Sequence, residues 1–361
     1  MSEIGFKKEE IDTPALLINV DVMEKNLSTM RNFFRGKKAN LWAHTKVHKS
    51  PDLARRELEM GAKGVCCQKV SEAEVMARGG ISCITVTNPI VTRKKIDKLV
   101  TLSKQVAIRA IIDSASNAES LSNAAVEQGT KLNVLVEVQL GANRCGVELG
   151  DSALKLARTV RSLKGLTLVG LLGFEGGLWQ LEPREKRRTE AKRLYDKLLD
   201  TRKLIEASGI GIEEISVGIT STYDAAASTP GISDVRSGSY ILMDSAHHKY
   251  APEFDCALTL LSTVISKPSQ DRVVTDAGLT SFSVESGLPE VVGMNGVEVM
   301  ELFAENTVLR IRKNEKMEIG DKVEFIPAFL DGTINYHNTY HVMRGDRVES
   351  ILDITARGTT H

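Results

Sequence analysis

A lysine flanked by two histidines is the feature of this chain that most directly suggests covalent chemistry. Lys46 stands in the segment His44-Thr45-Lys46-Val47-His48, after the apolar run ANLWA and just before Ser50-Pro51, which opens a predicted helix. A lysine amine at the mouth of a parallel α/β barrel is suited to form a Schiff base with an aldehyde. Because most lysines are solvated surface charges, this interpretation depends on what accompanies Lys46.

Small polar residues follow two later apolar runs and suit a phosphate group. Thr220 and Ser221 follow EEISVGI, and Gly238, Ser239 and Tyr240 follow the run that contains ISDVR. Late loops of parallel barrels commonly bind phosphate through backbone N–H groups and hydroxyls, although such clusters are more often ordinary turns. Combined with Lys46, they predict a phosphorylated aldehyde cofactor, pyridoxal 5′-phosphate.

Arg144 follows the run NVLVEVQLG and adds a permanent cation to the same group of strand ends. Two interpretations are open for this residue. Its guanidinium could face the phenolate oxygen of the cofactor ring, or it could form a surface salt bridge.

A parallel barrel would position all of these residues at one rim. Short apolar runs alternate with helical stretches up to about residue 240 and predict an α/β fold with a TIM-like (β/α)8 barrel over residues 13–250. Eight or nine strands are predicted, from the runs PALLINV, ANLWAHT, KGVCCQ, SCITVTN, VAIRAIID, KLNVLVEV, LTLVGLLGF, EEISVGI and ISDVRSGSY. The charged segment from Pro183 predicts a barrel helix, with apolar residues at Leu194, Leu198, Leu204 and Ile205.

Beyond about Ala251 the helical periodicity is lost, and strand-like runs separated by turns predict a smaller β domain over residues 251–361. Residues 1–12 could return to that domain.

Composition excludes several classes of partner. The chain has 361 residues, with 47 Lys and Arg against 47 Asp and Glu, and no arginine-rich tract, so we expect no nucleic acid. It has no apolar run of 18 residues, so we expect no membrane span. Five cysteines without Cys-x-x-Cys spacing, and an N-terminus unlike a signal peptide, predict a cytoplasmic protein.

Several motifs together resemble one enzyme group. HTKVHKSPDLARRELEMGAKGVCCQKVSEAEVMARGG, VEVQLGANRCGV, GFEGG, SVGITSTYD, GSYILMD and DAGL are similar to segments of D-threonine aldolases and D-serine dehydratases. The resemblance covers almost the whole chain. It implies a fold-type III, alanine-racemase-like barrel followed by a β domain, and a homodimer whose active site is completed by the second subunit.

The resemblance also assigns cofactor residues by position. It implies that Lys46 carries pyridoxal phosphate and that Arg144 contacts the ring oxygen. The residues that it implies for the phosphate are Thr220, Ser221, Gly238, Ser239 and Tyr240.

The chain departs from the group at the expected metal site. Relatives bind a divalent cation through His-x-Cys or His-x-Asp, whereas the matching stretch here has Phe329 and Asp331. A phenylalanine cannot ligate a metal, and one carboxylate is a poor site for zinc or manganese. We therefore expect no tightly bound metal, although His337 or His341 could substitute as ligands.

Three further departures follow from the resemblance. The turn before Thr307 lacks a histidine that is common in relatives, and Phe174 stands where tyrosine is common. Ile219 and Ser221 replace glycines in the phosphate turn. Because β-branched residues are strained at positive φ, we expect that turn to differ locally.

These features support three functions. The first is a lyase that acts on a D-configured β-hydroxy-α-amino acid, by retro-aldol cleavage to glycine and an aldehyde or by elimination of water. With no metal, His44, His48 and His337 are the candidate acid–base residues, and His44 and His337 are our choices. The alternatives are a metal-independent racemase or epimerase and a non-catalytic protein that binds pyridoxal phosphate.

Overall fold

The structure is a computed structural model that describes residues 3–312 and 315–360. Contacts divide the described residues into two compact units. The barrel unit is formed by residues 31–46, 51–238 and 359–360, and the sheet unit by residues 3–30, 47–50, 239–312 and 315–358. The boundary at residue 250 stays a prediction about domains.

The predicted barrel is confirmed in the barrel unit. Eight parallel strands close in chain order, so that the first strand pairs with both the second and the last. These strands are β2 (Asn40–His44), β3 (Gly64–Cys67), β4 (Cys83–Val86), β5 (Ala107–Ile112), β6 (Leu132–Gln139), β7 (Leu166–Phe174), β8 (Glu214–Val217) and β9 (Asp234–Ser237).

Helices connect successive barrel strands. They are α2 (Pro51–Glu59), α3 (Val70–Arg78), α4 (Arg93–Leu102), α5 (Ala115–Glu127), α6 (Asp151–Ser162), α7 (Arg184–Ala207) and α8 (Tyr223–Ser228), with a 3₁₀ turn at Gly176–Leu178. The predicted charged helix is α7. It buries Arg187, Tyr195, Leu198 and Ile205 at helical spacing, whereas Leu204 is 38% exposed and does not join that buried face.

The sheet unit contains a nine-stranded sheet within the described residues. Its strands are β1 (Ala15–Asn19), β10 (Leu258–Ser269), β11 (Arg272–Thr275), β12 (Glu290–Val291), β13 (Val297–Leu302), β14 (Thr307–Ile311), β15 (Lys322–Ile326), β16 (Thr339–Arg344) and β17 (Arg347–Asp353). The helices elsewhere are α1 (Val20–Phe34), α9 (Ser245–His248) and α10 (Leu330–Asn335), with 3₁₀ turns at Lys8–Glu10 and Ser239–Ile241.

One predicted barrel strand was wrong. The run PALLINV forms β1, which pairs with β10 and with β16 in the sheet unit. All but its last residue are buried, so its apolar composition fits a central strand of either sheet. The prediction that residues 1–12 could return to the β domain fits the hydrogen bond from the Gly5 N–H to the Val348 carbonyl, 2.8 Å long.

In the described part of the chain, none of the helices combines the length and the apolar run that crossing a membrane requires.

Candidate active site

Lys46 lies in a turn that the barrel fixes from one side. It comes two residues after the end of β2, and its side chain is partly exposed. The preceding residue, Thr45, is buried and donates both its backbone N–H and its hydroxyl to the Cys66 carbonyl on β3, at 3.0 and 3.1 Å. The backbone leading to Lys46 is therefore held against the neighbouring strand.

The closure of the barrel places the predicted phosphate residues next to Lys46 in strand order. β2 pairs with β9, and β9 pairs with β8. Gly238 directly follows β9, and Thr220 and Ser221 follow β8. The Gly238 N–H donates to the Thr220 hydroxyl at 3.3 Å. The amine and the hydroxyl-rich turns thus follow three adjacent strands at one rim.

Two hydroxyl groups at this rim are suited to a polar ligand. The side-chain oxygens of Ser221 and Ser237 are buried and have no hydrogen-bond partner among the described residues. Because burying a hydroxyl without a partner costs free energy, native proteins rarely leave one unless something else binds it. A phosphate accepts hydrogen bonds from such donors, so these residues fit the phosphate of pyridoxal phosphate.

The turn after β8, residues 218–222, is one of the two predicted to bind phosphate, and one of its residues has a left-handed conformation. The left-handed residue is Gly218, with φ +97°, and a Cβ at that position would lie 2.7 Å from the Val235 side chain. Ile219 and Ser221 are not among the residues with positive φ. The two substituted positions therefore carry side chains without backbone strain.

Arg144 follows β6 and is exposed. Its guanidinium lies over the ring of Phe174, 4.9 Å from the centroid, at the end of the adjacent strand β7. This cation–π contact orients the guanidinium. It gives Phe174 a role that the sequence alone did not indicate.

Glu137 is a buried carboxylate near this arginine that sequence analysis did not single out. It lies on β6 and is 3% exposed, and its Oε2 has no hydrogen-bond partner among the described residues. Burial raises the pKa of Glu137 to about 7, although the charges of Arg236 and Arg144 oppose the increase. Its only sequence signal is a charged residue inside an apolar strand.

His44 ends β2 in the barrel unit, whereas Tyr240 and His337 belong to the sheet unit. Tyr240 is buried in the turn that begins at Ser239, with its ring 5.8 Å from that of Phe254. His337 donates from Nε2 to the Ser281 carbonyl at 3.0 Å, and burial lowers its pKa. This hydrogen bond already engages Nε2 of His337. The catalytic role of His337 stays a prediction.

Two further histidines named from the sequence, His48 and His341, also make defined contacts. His48 accepts the Ser50 N–H at Nδ1, 3.1 Å away. His341 pairs through Nε2 with Glu3 at 2.7 Å. In both cases one ring nitrogen is engaged in a local contact.

The stretch expected at the metal position forms the start of α10. The ring of Phe329 stacks on His247, with centroids 6.3 Å apart. His247 donates from Nδ1 to the buried Asp244 at 2.8 Å, and Asp244 also accepts the Leu330 N–H at 3.1 Å. Sequence analysis did not identify His247. Across residues 3–312 and 315–360, no group of three His, Cys, Asp or Glu is arranged to hold a metal ion, and the metal status stays a prediction.

Two protein families match the chain. Residues 18–246 match the family described as "Alanine racemase, N-terminal domain", and residues 257–343 match the "Putative serine dehydratase domain". The chain therefore belongs to the alanine-racemase-like, fold-type III family of pyridoxal-phosphate proteins.

Individual relatives are similar over nearly the whole chain. A D-threonine aldolase of Arthrobacter sp is 34% identical over 359 residues, covering 98% of this chain and 95% of the relative. A 3-hydroxy-D-aspartate aldolase of Paracoccus denitrificans is 32% identical over 365 residues, covering 98% and 94%. The crystal structure of D-threonine aldolase from Filomicrobium marinum has a TM-score of 0.97 and 31% identity, covering 100% of both chains.

The raised pKa of Glu137 gives a prediction about stability. Its carboxyl has an ordinary pKa of 4.5 when the chain is unfolded and about 7 in the folded protein. The folded state thus holds the proton more tightly, and stability falls as pH rises between these values, by up to roughly 3 kcal/mol, and levels off above. Glu137→Gln should remove that loss, so the variant gains stability relative to the natural chain from about pH 4.5 to 7.

Urea unfolding of the cofactor-free protein at several pH values measures this difference. Glu148→Gln, at an exposed position on the connection that follows β6, is the control and should leave the pH dependence unchanged. Parallel stability curves for the natural chain and Glu137→Gln would contradict the assignment.

Proposed function

We propose that the protein is a pyridoxal-phosphate-dependent lyase that cleaves D-configured β-hydroxy-α-amino acids. The observation that carries the proposal is the order β2–β9–β8, in which Lys46 and two hydroxyl-rich turns follow adjacent strands. The full-length similarity to a D-threonine aldolase and a 3-hydroxy-D-aspartate aldolase supports the same reaction class.

Individual residues have separate tasks in this proposal. The Lys46 amine would hold the cofactor aldehyde, and Arg144 would place a positive charge beside the ring oxygen. The phosphate would be bound by Thr220, Ser221, Gly238, Ser239 and Tyr240. The buried hydroxyl of Ser221 supports this assignment, because it has no other partner among the described residues.

Pyridoxal phosphate, when bound, supplies an electron-withdrawing ring that weakens the bonds at the substrate Cα. A residue of the chain must then remove or donate a proton at the substrate β-hydroxyl. Aldol cleavage requires a base that removes this proton as the Cα–Cβ bond breaks, and dehydration requires an acid that protonates the leaving hydroxyl. We assign this proton transfer to His44 in preference to His337. His44 ends the strand that leads to Lys46 and lies 3.3 Å from the Thr87 hydroxyl through Nε2.

Aldol cleavage is the reaction we favour over dehydration. Two relatives that cover 98% of the chain are named aldolases. Dehydration is the second candidate, since residues 257–343 match a serine dehydratase domain.

Product analysis with D-threonine and 3-hydroxy-D-aspartate tests the proposal. We expect glycine and an aldehyde, and Lys46→Ala should lower the rate more than about a thousandfold, as loss of a covalent catalytic group does. Borohydride reduction should attach the cofactor to the peptide that contains Lys46. The exposed Lys94→Ala variant is the control and should retain activity.

Other outcomes would identify a different reaction. Release of an oxoacid and ammonia would favour the dehydratase. Exchange of the Cα hydrogen with solvent deuterium, with the side chain retained, would favour a racemase. Cofactor trapped on another residue would contradict the role of Lys46.

We further propose that catalysis needs no tightly bound divalent metal. Phe329, at the position where the resemblance places a metal histidine, has no ligand atom and instead stacks on His247. We expect activity to change less than about twofold after treatment with a chelator, and elemental analysis to find no stoichiometric zinc or manganese. Phe329→His should add affinity for Mn²⁺ or Zn²⁺, measured by calorimetry. Loss of activity on chelation that Mn²⁺ or Zn²⁺ restores would contradict the proposal.

We also propose that the protein is a cytoplasmic homodimer, as the family resemblance and its five free cysteines suggest. Leu279 and Phe303 are neighbours in the sheet unit, because the Leu279 N–H donates to the Phe303 carbonyl at 2.9 Å, and adjacent exposed apolar side chains are typical of an association surface. The sheet unit exposes several apolar side chains. They include Leu279, Leu288, Met300 and Phe303.

Sedimentation equilibrium should give the mass of two 39.5-kDa chains. Phe303→Asp should weaken association, because it buries a charge at a contact, whereas Val126→Asp on α5 should leave the mass unchanged. A monomer at micromolar concentration would contradict the dimer.

A further inference from the structure

We propose that Glu175 is a positioning residue for the phosphate turn, residues 218–222. Its carboxylate would hold this turn in the conformation that presents Thr220 and Ser221 to the cofactor phosphate. Glu175 follows β7 in the GFEGG motif, to which sequence analysis gave no role of its own. The inference rests on the proposed function, because it takes the turn to be the phosphate site.

The carboxylate of Glu175 contacts both ends of the turn. It is fully buried, and its Oε2 accepts the Gly218 N–H at 3.2 Å, while Oε1 accepts the Thr222 hydroxyl at 2.7 Å. Oε1 also accepts the hydroxyl of the buried Tyr195 on α7. A carboxylate has two acceptor oxygens, so one side chain satisfies three donors and fixes the separation of the turn's ends.

The turn is closed by contacts of its own. The Ile219 N–H donates to the Thr222 hydroxyl and the Thr222 N–H donates to the Ile219 carbonyl, each at 3.1 Å. The buried Arg187 donates from Nε to the Ser221 carbonyl at 2.9 Å. With that carbonyl engaged, the Ser221 hydroxyl is the side-chain group of the turn that has no partner among the described residues.

Glu175 would act through geometry and not through charge. A second negative charge does not itself attract a phosphate, so the benefit must come from the donors that it orders. The pKa of Tyr195 is raised well above its ordinary value by burial and by the charge of Glu175, so this hydroxyl keeps its proton and remains a donor.

Selectivity between pyridoxal phosphate and pyridoxal tests this role. The two probes differ only in the phosphate, so the ratio of their dissociation constants measures how strongly the turn binds the phosphate. Binding to the full-length, cofactor-depleted protein can be measured by absorbance. In Glu175→Gln the amide NH₂ faces either the Gly218 N–H, which cannot accept it, or the Thr222 and Tyr195 hydroxyls, which must then accept instead of donate. In both orientations the charge-assisted contacts with the turn are weakened. We expect binding of pyridoxal phosphate to weaken about tenfold, with pyridoxal changed less than about twofold.

Tyr195→Phe is the matched control. It removes a buried hydrogen bond to Glu175 but leaves both contacts with the turn, so the selectivity should be retained. If Glu175 had only a structural role, Glu175→Gln and Tyr195→Phe would change the selectivity for pyridoxal phosphate over pyridoxal by similar amounts. If Glu175→Gln does not fold, Thr222→Val, which removes the hydroxyl at one end of the turn, should show the same selective loss.

The outcomes separate this inference from the proposed function. A natural chain that binds both probes equally would show that the turn is not a phosphate site, and both proposals would fail at that point. A natural chain that prefers pyridoxal phosphate, with the same preference in Glu175→Gln and Thr222→Val, would overturn the role of Glu175 alone. An equal loss of both probes in Glu175→Gln would also overturn it.

Discussion

Pairing between β2 and β9 is the constraint on which the candidate site depends. In an open sheet, the first and last strands of this order would lie at opposite edges, and Lys46 would be remote from Gly238. Closure makes these strands neighbours, and their parallel direction brings their carboxyl ends to one rim. A residue near the start of the barrel and turns near its end can then serve one small ligand.

Two buried carboxylates of the barrel unit differ in how their negative charge is stabilised. Glu175 is surrounded by three donors, so its negative charge is compensated by hydrogen bonds. Glu137 has an oxygen without a partner in the described residues, and burial raises its pKa into the neutral range. Glu175 therefore holds backbone and side-chain donors in place, whereas Glu137 can gain or lose a proton near neutral pH beside Arg144 and Arg236.

Local patterns predicted the barrel and the positions of its strand ends. Strand runs followed by polar turns indicate both the elements and the strand ends, which is why Lys46, Thr220 and Gly238 could be named. The strand β1 was assigned to the wrong sheet because a buried apolar run carries no information about its partner. The contacts of Glu175 with Tyr195 and Thr222 were also beyond prediction. They join residues from three elements, and no fixed spacing in the chain encodes such an encounter.

The position of β1 has a consequence for the order of assembly. Its neighbours are β10 and β16, so Leu16 lies opposite Leu260 on one side and Tyr340 on the other. During synthesis this early strand leaves the ribosome long before either neighbour exists, and its pairing must wait until most of the chain has emerged. The barrel strands meet their neighbours sooner, except where the circle closes. Nascent chains should therefore pass through a stage in which an apolar strand is exposed and vulnerable to aggregation.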